Sequence, residues 1–285
     1  MSARLIIPTR FPRLNRRADT VVSGWNRVGE QVGFSVNTIR FIPEALLKHR
    51  VEVLRLIAQM SFGVAELALL GGTVVIIGFI TSNVGSIVGT MSYTQLGSIG
   101  IEALTGFLSA YINPRLVAGL ITSVGLVITI GAGATAQLGA MRINEEIDAL
   151  DVMGIRTVTY LASTRVLAGA IITGPLFCAA LLAAIIVNEL TVRLSFDQSR
   201  GVYNHYFNSF LNPTDIIWAF VQVMISGVII MLIHTYYGFT AGGGPAGVGR
   251  ATGRAVRASL IVATTVAMMA GLMLYGRSGD FNFAG

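Results

Sequence analysis

The chain is poor in the residues that carry most enzymatic and metal chemistry. Its 285 residues hold one lysine, one cysteine and three histidines. The single lysine, Lys48, sits in Leu47-Lys48-His49-Arg50, so no Gly-x-x-x-x-Gly-Lys-[Ser/Thr] phosphate loop exists and the polypeptide cannot hold ATP through one. Cys178 alone excludes an internal disulfide framework and reads as an apolar filler within a hydrophobic run. His49, His205 and His234 are too dispersed to form a metal site by spacing. Neither a Gly-x-Ser-x-Gly elbow nor a His-Glu-x-x-His pair occurs. Nothing supports an enzyme, and no cofactor or metal is expected in this chain.

Charge is scarce as well: 12% of residues are charged against 53% apolar, with a mean hydropathy of +0.71. Such a composition lies well outside that of soluble domains. A helical crossing needs about 20 mostly apolar residues, and five stretches supply them: 62–82, 115–136, 161–187, 215–236 and 257–275. A sixth, 96–112, carries Glu102 and three glycines, and reads as a short helix at the outer surface or a re-entrant piece. The expected fold is an all-α membrane protein with five transmembrane helices.

The placement of Lys and Arg sets the expected orientation. Ten precede the first crossing (Arg4, Arg10, Arg13, Arg16, Arg17, Arg27, Arg40, Lys48, Arg50, Arg55), and six lie in the 137–165 and 237–257 connections. Only Arg115, Arg193, Arg200 and Arg277 fall on the opposite side. The N-terminus is therefore expected inside a plasma (inner) membrane and the C-terminus outside. The basic pI of about 9.9 then reflects topology and the anionic inner leaflet, not nucleic acid. Residues 1–20 carry five arginines and no apolar core of signal-peptide length.

Three regions are expected along the chain: a basic, poorly ordered start (1–19), interfacial or elbow helices (20–60) and a membrane-spanning body (61–278). Val21, Trp25, Val28 and Val32 fall at helical spacing, as in an amphipathic helix lying in the interface. Pro43 is placed to restart a helix. Gly85-x-x-x-Gly89 suits close helix packing, and Pro175 suits a kink. Residues 188–214 read as a polar and aromatic outer loop. Ionisable residues in the crossings are few: Glu66 and His234 near inner ends, and Asp215 and Glu189 at outer ends, are the footing for an ion or proton relay. The plainer reading is that all four snorkel or cap.

Two connections carry specific features. Of the 14 acidic residues, four (Glu145, Glu146, Asp148, Asp151) fall within seven positions, in Asn144-Glu145-Glu146-Ile147-Asp148-Ala149-Leu150-Asp151-Val152-Met153-Gly154. At helical spacing Glu145, Asp148 and Asp151 share one face, and Ile143, Ile147 and Leu150 another. Such a helix cannot lie in hydrocarbon but can dock on a partner. A plainer role is also open to Glu145 and Glu146, which favour a helix N-terminus with Asn144 as cap. The second feature runs from Gly242 to Arg257. Its Gly242-x-Gly244-x-x-Gly247 lacks the preceding strand of a dinucleotide site and reads as a tight loop, with Arg250 and Arg254 available to phosphates or acidic groups.

Glu145-Glu146-Ile147-Asp148-Ala149-Leu150 with Met153-Gly154, together with Gly247-Val248-Gly249-Arg250-Ala251-Thr252 and the following Arg254, resembles the MlaE/YrbE permeases, over about residues 20–278. The Arg-rich start resembles the actinobacterial YrbE branch. The resemblance implies a permease subunit of an ATP-driven, ABC-type lipid or fatty-acid transporter working with MCE-domain proteins, with import as the direction. It implies that residues 143–154 form a coupling helix whose Glu145, Glu146, Ile147, Asp148, Leu150, Asp151, Met153 and Gly154 seat in a cytoplasmic ATPase. ATP and magnesium would belong to that ATPase. It further implies a cytoplasmic Gly/Arg loop (Gly247, Gly249, Arg250, Arg254), a second permease, in the actinobacterial branch an unlike one, and a lipid path between the two. The alternatives are an ion-coupled secondary transporter, which needs Glu66 or His234, and a membrane scaffold that moves nothing.

Overall fold

A computed structural model describes residues 28–62 and 72–275, and among these there is no strand. Three short helices come first: α1 (28–40), α2 (Ile42–Lys48) and α3 (Arg50–Phe62). Five helices are long and apolar enough to cross a bilayer: α4 (Thr73–Gly97), α5 (Glu102–Ile143), α7 (Val158–Phe196), α9 (Pro213–Phe239) and α10 (Gly244–Tyr275). Between them, α6 (Glu146–Val152) follows α5 at one end of the bundle, and α8 (Arg200–Phe210) follows α7 at the other.

The crossings are longer than their hydrophobic runs. α5 has 42 residues and α7 has 39, about 63 and 58 Å at 1.5 Å per residue, against a hydrocarbon core of about 30 Å. Both therefore project beyond the membrane. The first crossing expected at 62–82 is instead α4, whose second half is rich in Ser, Thr and Asn. Those side chains satisfy themselves on the helix: the hydroxyls of Thr81, Thr90 and Thr94 donate to the carbonyls of Ile77, Ser86 and Thr90. Hydropathy penalises such residues, whereas a helix interior accommodates them. Residues 63–71, including Glu66, lie outside the described residues. The 96–112 segment is neither a separate surface helix nor re-entrant. It holds the end of α4, a turn and the start of α5.

Packing relies on small residues and a few large apolar anchors. Ile77, Leu126, Val127, Val166, Leu176, Ile230 and Met231 form the main core, drawn from α4, α5, α7 and α9. Gly85 and Gly89 let α4 lie against α7, since a Cβ on Gly85 would stand 2.7 Å from the Ala184 carbonyl oxygen. The Gly-x-x-x-Gly pair is thus spent within the chain. α7 runs helical through Pro175, and Cys178 is exposed on its outer face, so it fills no core position.

His234 is fully buried at the junction of α5, α9 and α10. Its Nδ1 is 2.7 Å from Thr135 Oγ1 and its Nε2 is 3.0 Å from Ser259 Oγ, whose hydroxyl donates to the Ala255 carbonyl. Both ring nitrogens therefore face a hydroxyl, and Thr135 Oγ1 can accept as well as donate, since it also lies 3.1 Å from the Gly131 carbonyl oxygen and 3.0 Å from that of His234. Gly131 leaves room for the ring, with a Cβ there 2.5 Å from His234 Cδ2.

At the α8 end the expected 188–214 loop is mostly helical. α7 continues to Phe196, and α8 packs on the first turns of α5. Tyr203 fixes it: the side chain is buried, and its hydroxyl lies 2.7 Å from Ser109 Oγ and 3.1 Å from Asn188 Oδ1. Arg115 bonds to Asp215 at 2.5 Å and lies 3.8 Å from the Tyr111 ring centroid. A polar loop in the sequence becomes a helix because one buried tyrosine ties it to two crossings.

Candidate functional site

The α6 end carries the features singled out from sequence. Asn144 ends α5 and Glu145 adopts φ 60°, which reverses the chain so that α6 folds back beside the last turns of α5. The helix starts at Glu146, so Glu145 precedes it and Asn144 belongs to the helix before. The only side-chain bond joining them is Asn144 Nδ2 to Glu146 Oε1 at 3.4 Å. At its other end Gly154 takes φ 79°, its N–H bonding to Asp151 O, while the Ile155 N–H reaches Leu150 O. This pair of bonds is a Schellman cap, and a left-handed residue after the helix favours glycine. Gly154 therefore has a local structural task, whatever docks nearby.

The two faces of α6 differ from the expectation in one respect. Ile147 is completely buried against Leu138 and Leu161, with Met141, Leu150, Tyr160 and Phe239 around it. It anchors α6 to its own bundle and is not presented to a partner. The outward face consists of Glu146, Asp148, Asp151, Val152 and Met153, with Val152 89% and Met153 65% exposed. Asp148 bonds to Arg142 at 2.6 Å. Apolar side chains that stand clear of the bundle beside three carboxylates make a compact mixed surface of the kind that partners recognise.

The Gly/Arg element comes to the same end but is not a loop. After a tight turn at Gly243 (φ 84°) and Gly244 (φ 71°), α10 begins, and Gly247, Gly249, Arg250 and Arg254 lie on its first turns. A helix forms despite four glycines because its inner face is anchored: Gly247 lies against the Gly242 carbonyl, and Val248 packs where Gly139 of α5 has no side chain. Arg250, Arg254 and Arg257 are exposed on one face, with Arg254 5.8 Å from the Tyr237 ring centroid. Both α6 and the start of α10 therefore rest on the last turns of α5, through Leu138 and Gly139 respectively.

Arg165 is a feature that sequence reading missed. Counted there as part of a connection, it lies within α7 with 6% exposure, its Nη1 donating to Leu161 O and its Nε buried without a partner among the described residues. The available signal was a charge beside Thr164 at the edge of an apolar run.

Two concave surfaces line the crossings. One, of about 450 Å³, lies between α3, α4 and α5 and combines Gln59, Thr73, Thr129 and Gln137 with Met60 and Ile128. The other, of about 420 Å³, lies between α5, α9 and α10 and is nearly all apolar below Arg115 and Gln222. Each includes part of a π-helical stretch of α5, Val127–Gly131 and Asn113–Val117 respectively. Such stretches widen a helix and recur at functional sites.

The chain is similar to known permeases. The family described as Permease MlaE matches residues 66–273. A probable ABC transporter permease protein of Rickettsia bellii is 30% identical over 187 residues, covering 62% of this chain and 69% of that protein. A protein of the same description from Rickettsia prowazekii is 31% identical over 196 residues, with the same coverage of 62% and 69%. The chloroplastic protein TRIGALACTOSYLDIACYLGLYCEROL 1 of Arabidopsis thaliana is 28% identical over 167 residues, covering 57% of this chain and 47% of that protein.

Proposed function

We propose that this chain, which belongs to the MlaE permease family and is therefore the non-enzymatic membrane subunit of an ABC transporter, moves lipid molecules with power supplied through α6. ATP hydrolysis belongs to a separate ATPase subunit. The observation that carries the reading is the outward face of α6, an acidic and apolar surface anchored to a membrane bundle by the buried Ile147. In this reading Val152 and Met153 fill a cleft of the ATPase, and Glu145, Glu146, Asp148 and Asp151 set register against its basic groups. Leu150 supports that face from behind. Arg250 and Arg254, on the neighbouring α10, contact the same partner or the lipid headgroups beside it.

Orientation follows from charge. Arg142, Arg156, Arg250, Arg254 and Arg257 gather at the α6 end, while Arg115, Arg193 and Arg200 lie at the α8 end. The α6 end is assigned to the cytoplasm, with the N-terminus on that side and the C-terminus across the membrane. A lipid cargo is supported by the two amphiphilic concavities and by a relative named for a galactolipid. Import, pairing with a second permease of related but unlike sequence, and MCE-domain proteins at the α8 end complete the proposal.

Affinity purification from the native membrane, followed by mass spectrometry, tests the assembly: an ATPase, a second permease and MCE-domain proteins are expected. Asp148→Lys combined with Glu145→Lys is expected to release the ATPase from an otherwise intact bundle, since both side chains are exposed. Retention of stoichiometric ATPase by that variant would sink the role of α6.

A further inference from the structure

We propose that the depression where α2, α3 and α7 meet binds the phosphate headgroup of an anionic phospholipid in the leaflet at the α6 end. Only the identity of that leaflet rests on the proposed orientation. The depression holds about 590 Å³ and is lined by Leu47, Lys48, His49, Arg50, Glu52 and Tyr160, with Val51 completing the wall. Its size is within the range of small-ligand sites.

Its charge is one-sided. Lys48 and Arg50 line it, Arg55 and Arg156 flank it, and Arg165 lies behind it, close enough to interact electrostatically with both Glu52 and Tyr160. Against these five cations stand two carboxylates, Glu44 and Glu52. Glu44 is engaged by Lys48 at 2.7 Å and Arg156 at 3.2 Å, and the Lys48 hydrogen bond leads the effects that hold its carboxyl below the usual range. Glu52 is engaged by Arg55 at 3.5 Å. Arg50 has no acidic partner among the described residues. The buried Arg165 Nε is likewise unpartnered among them, an arrangement whose cost an anion nearby reduces. The break at His49 adds the first turn of α3, whose end amides lack intrahelical acceptors.

The surroundings select a lipid over a soluble phosphate. Leu47 is 69% exposed, Val51 82% and Leu54 66%, so apolar side chains stand free around a cationic centre. A phosphate with acyl chains attached satisfies both features at once, and basic recesses between membrane helices bind anionic headgroups in this way. The site also has a mechanical position. Arg156, in the connection leaving α6, bonds to Glu44 of α2, and Tyr160 of α7 stacks edge-on to His49 at 5.1 Å. A lipid seated there joins the interfacial helices to the segment that carries the docking face.

The test uses the purified transporter complex in mild detergent, loaded with phosphatidylglycerol or phosphatidylcholine and examined by native mass spectrometry. The wild type is expected to retain phosphatidylglycerol preferentially. Lys48→Gln and Arg50→Gln, both at exposed side chains, should each weaken retention about fivefold at low salt and together about 25-fold. Equal retention of the two lipids, or unchanged retention in the double variant, would overturn the proposal. Displacement by soluble glycerol phosphate would reassign the site to a free phosphate and overturn the lipid. Orientation is read separately, from labelling of Arg50→Cys in a Cys178→Ser background with a membrane-impermeant maleimide in intact cells. Labelling from outside would refute the proposed topology and leave the headgroup preference standing.

Discussion

The two ends of the bundle solve opposite problems. At the α8 end, a short helix is drawn inward by Tyr203, whose hydroxyl meets Ser109 and Asn188, and by Phe210, whose ring stands 4.7 Å from Phe107. The acidic Asp215 and Glu189 there are engaged by arginines of the same chain. At the α6 end, a helix of seven residues is held by one fully buried side chain, Ile147, and turns Val152, Met153 and three carboxylates outward. At one end Asp215 and Glu189 meet arginines of neighbouring helices in the same chain. At the other, Glu146 and Asp151 have no ion-pair partner among the described residues and stand beside exposed Val152 and Met153, which is how an interface for a separate subunit differs from a cap.

Substitutions that exchange these properties should break the contrast, and Ile147→Asp should do so most severely. A carboxylate placed among Leu138, Leu161 and Phe239 has no partner, so α6 should detach at a cost of about 3–5 kcal/mol. Limited proteolysis within 144–154 and loss of co-purified ATPase are the expected readouts, with the α8 end still protected. Second, Val152→Ser with Met153→Ser should leave thermal stability unchanged yet weaken ATPase binding about 30- to 100-fold, the equivalent of about 2–3 kcal/mol of lost apolar burial. A titration of the ATPase against the variant in nanodiscs measures it, and unchanged affinity would leave α6 without its proposed anchor.

Tyr203→Phe probes the opposite end. Loss of two buried hydrogen bonds should lower stability by about 1–3 kcal/mol without affecting ATPase binding. Burial pushes the Tyr203 hydroxyl up to about 12, against the effect of the Ser109 hydrogen bond. The folded form therefore holds this proton more tightly than the unfolded chain, whose tyrosine titrates near 10. Stability contributed by Tyr203 is fully present below about pH 10 and declines as pH rises toward about 12. Melting curves across that window should show a decline in the wild type that is smaller in Tyr203→Phe. The smallest effect is expected from Arg142→Gln, which removes a half-exposed pair with Asp148. It should cost less than about 1 kcal/mol, diminishing with salt, and should free Asp148 for a partner.

Much of the architecture was legible because membranes impose a simple rule. Runs of about 20 apolar residues became helices, and 161–187 and 215–236 fall wholly within α7 and α9. Errors arose where helices outlast their apolar stretch. The Ser- and Thr-rich half of α4 and the glycine- and arginine-rich start of α10 both read as connections, because hydropathy cannot count bonds from a hydroxyl to its own helix or the docking of Val248 beside Gly139. For the site, the acidic cluster and its turn stood out by composition alone. Which of Ile147 and Val152 faces inward was not legible, because the periodicity places apolar residues on more than one side of a seven-residue helix.

Sequence alone determined that the chain lives in a membrane, which end gathers positive charge and where an acidic segment interrupts the crossings, since these depend only on composition counted along the chain. Tertiary structure decided that Ile147 belongs to the bundle while Val152 and Met153 do not. It also decided that His234 is enclosed by Thr135 and Ser259, and that Lys48 and Arg50 line one depression with Tyr160 of α7. Those facts depend on which helices touch, and helix contact in a bilayer is set by the fit of small and large side chains across α4, α5, α7 and α9, a property of pairs of segments that no single stretch contains.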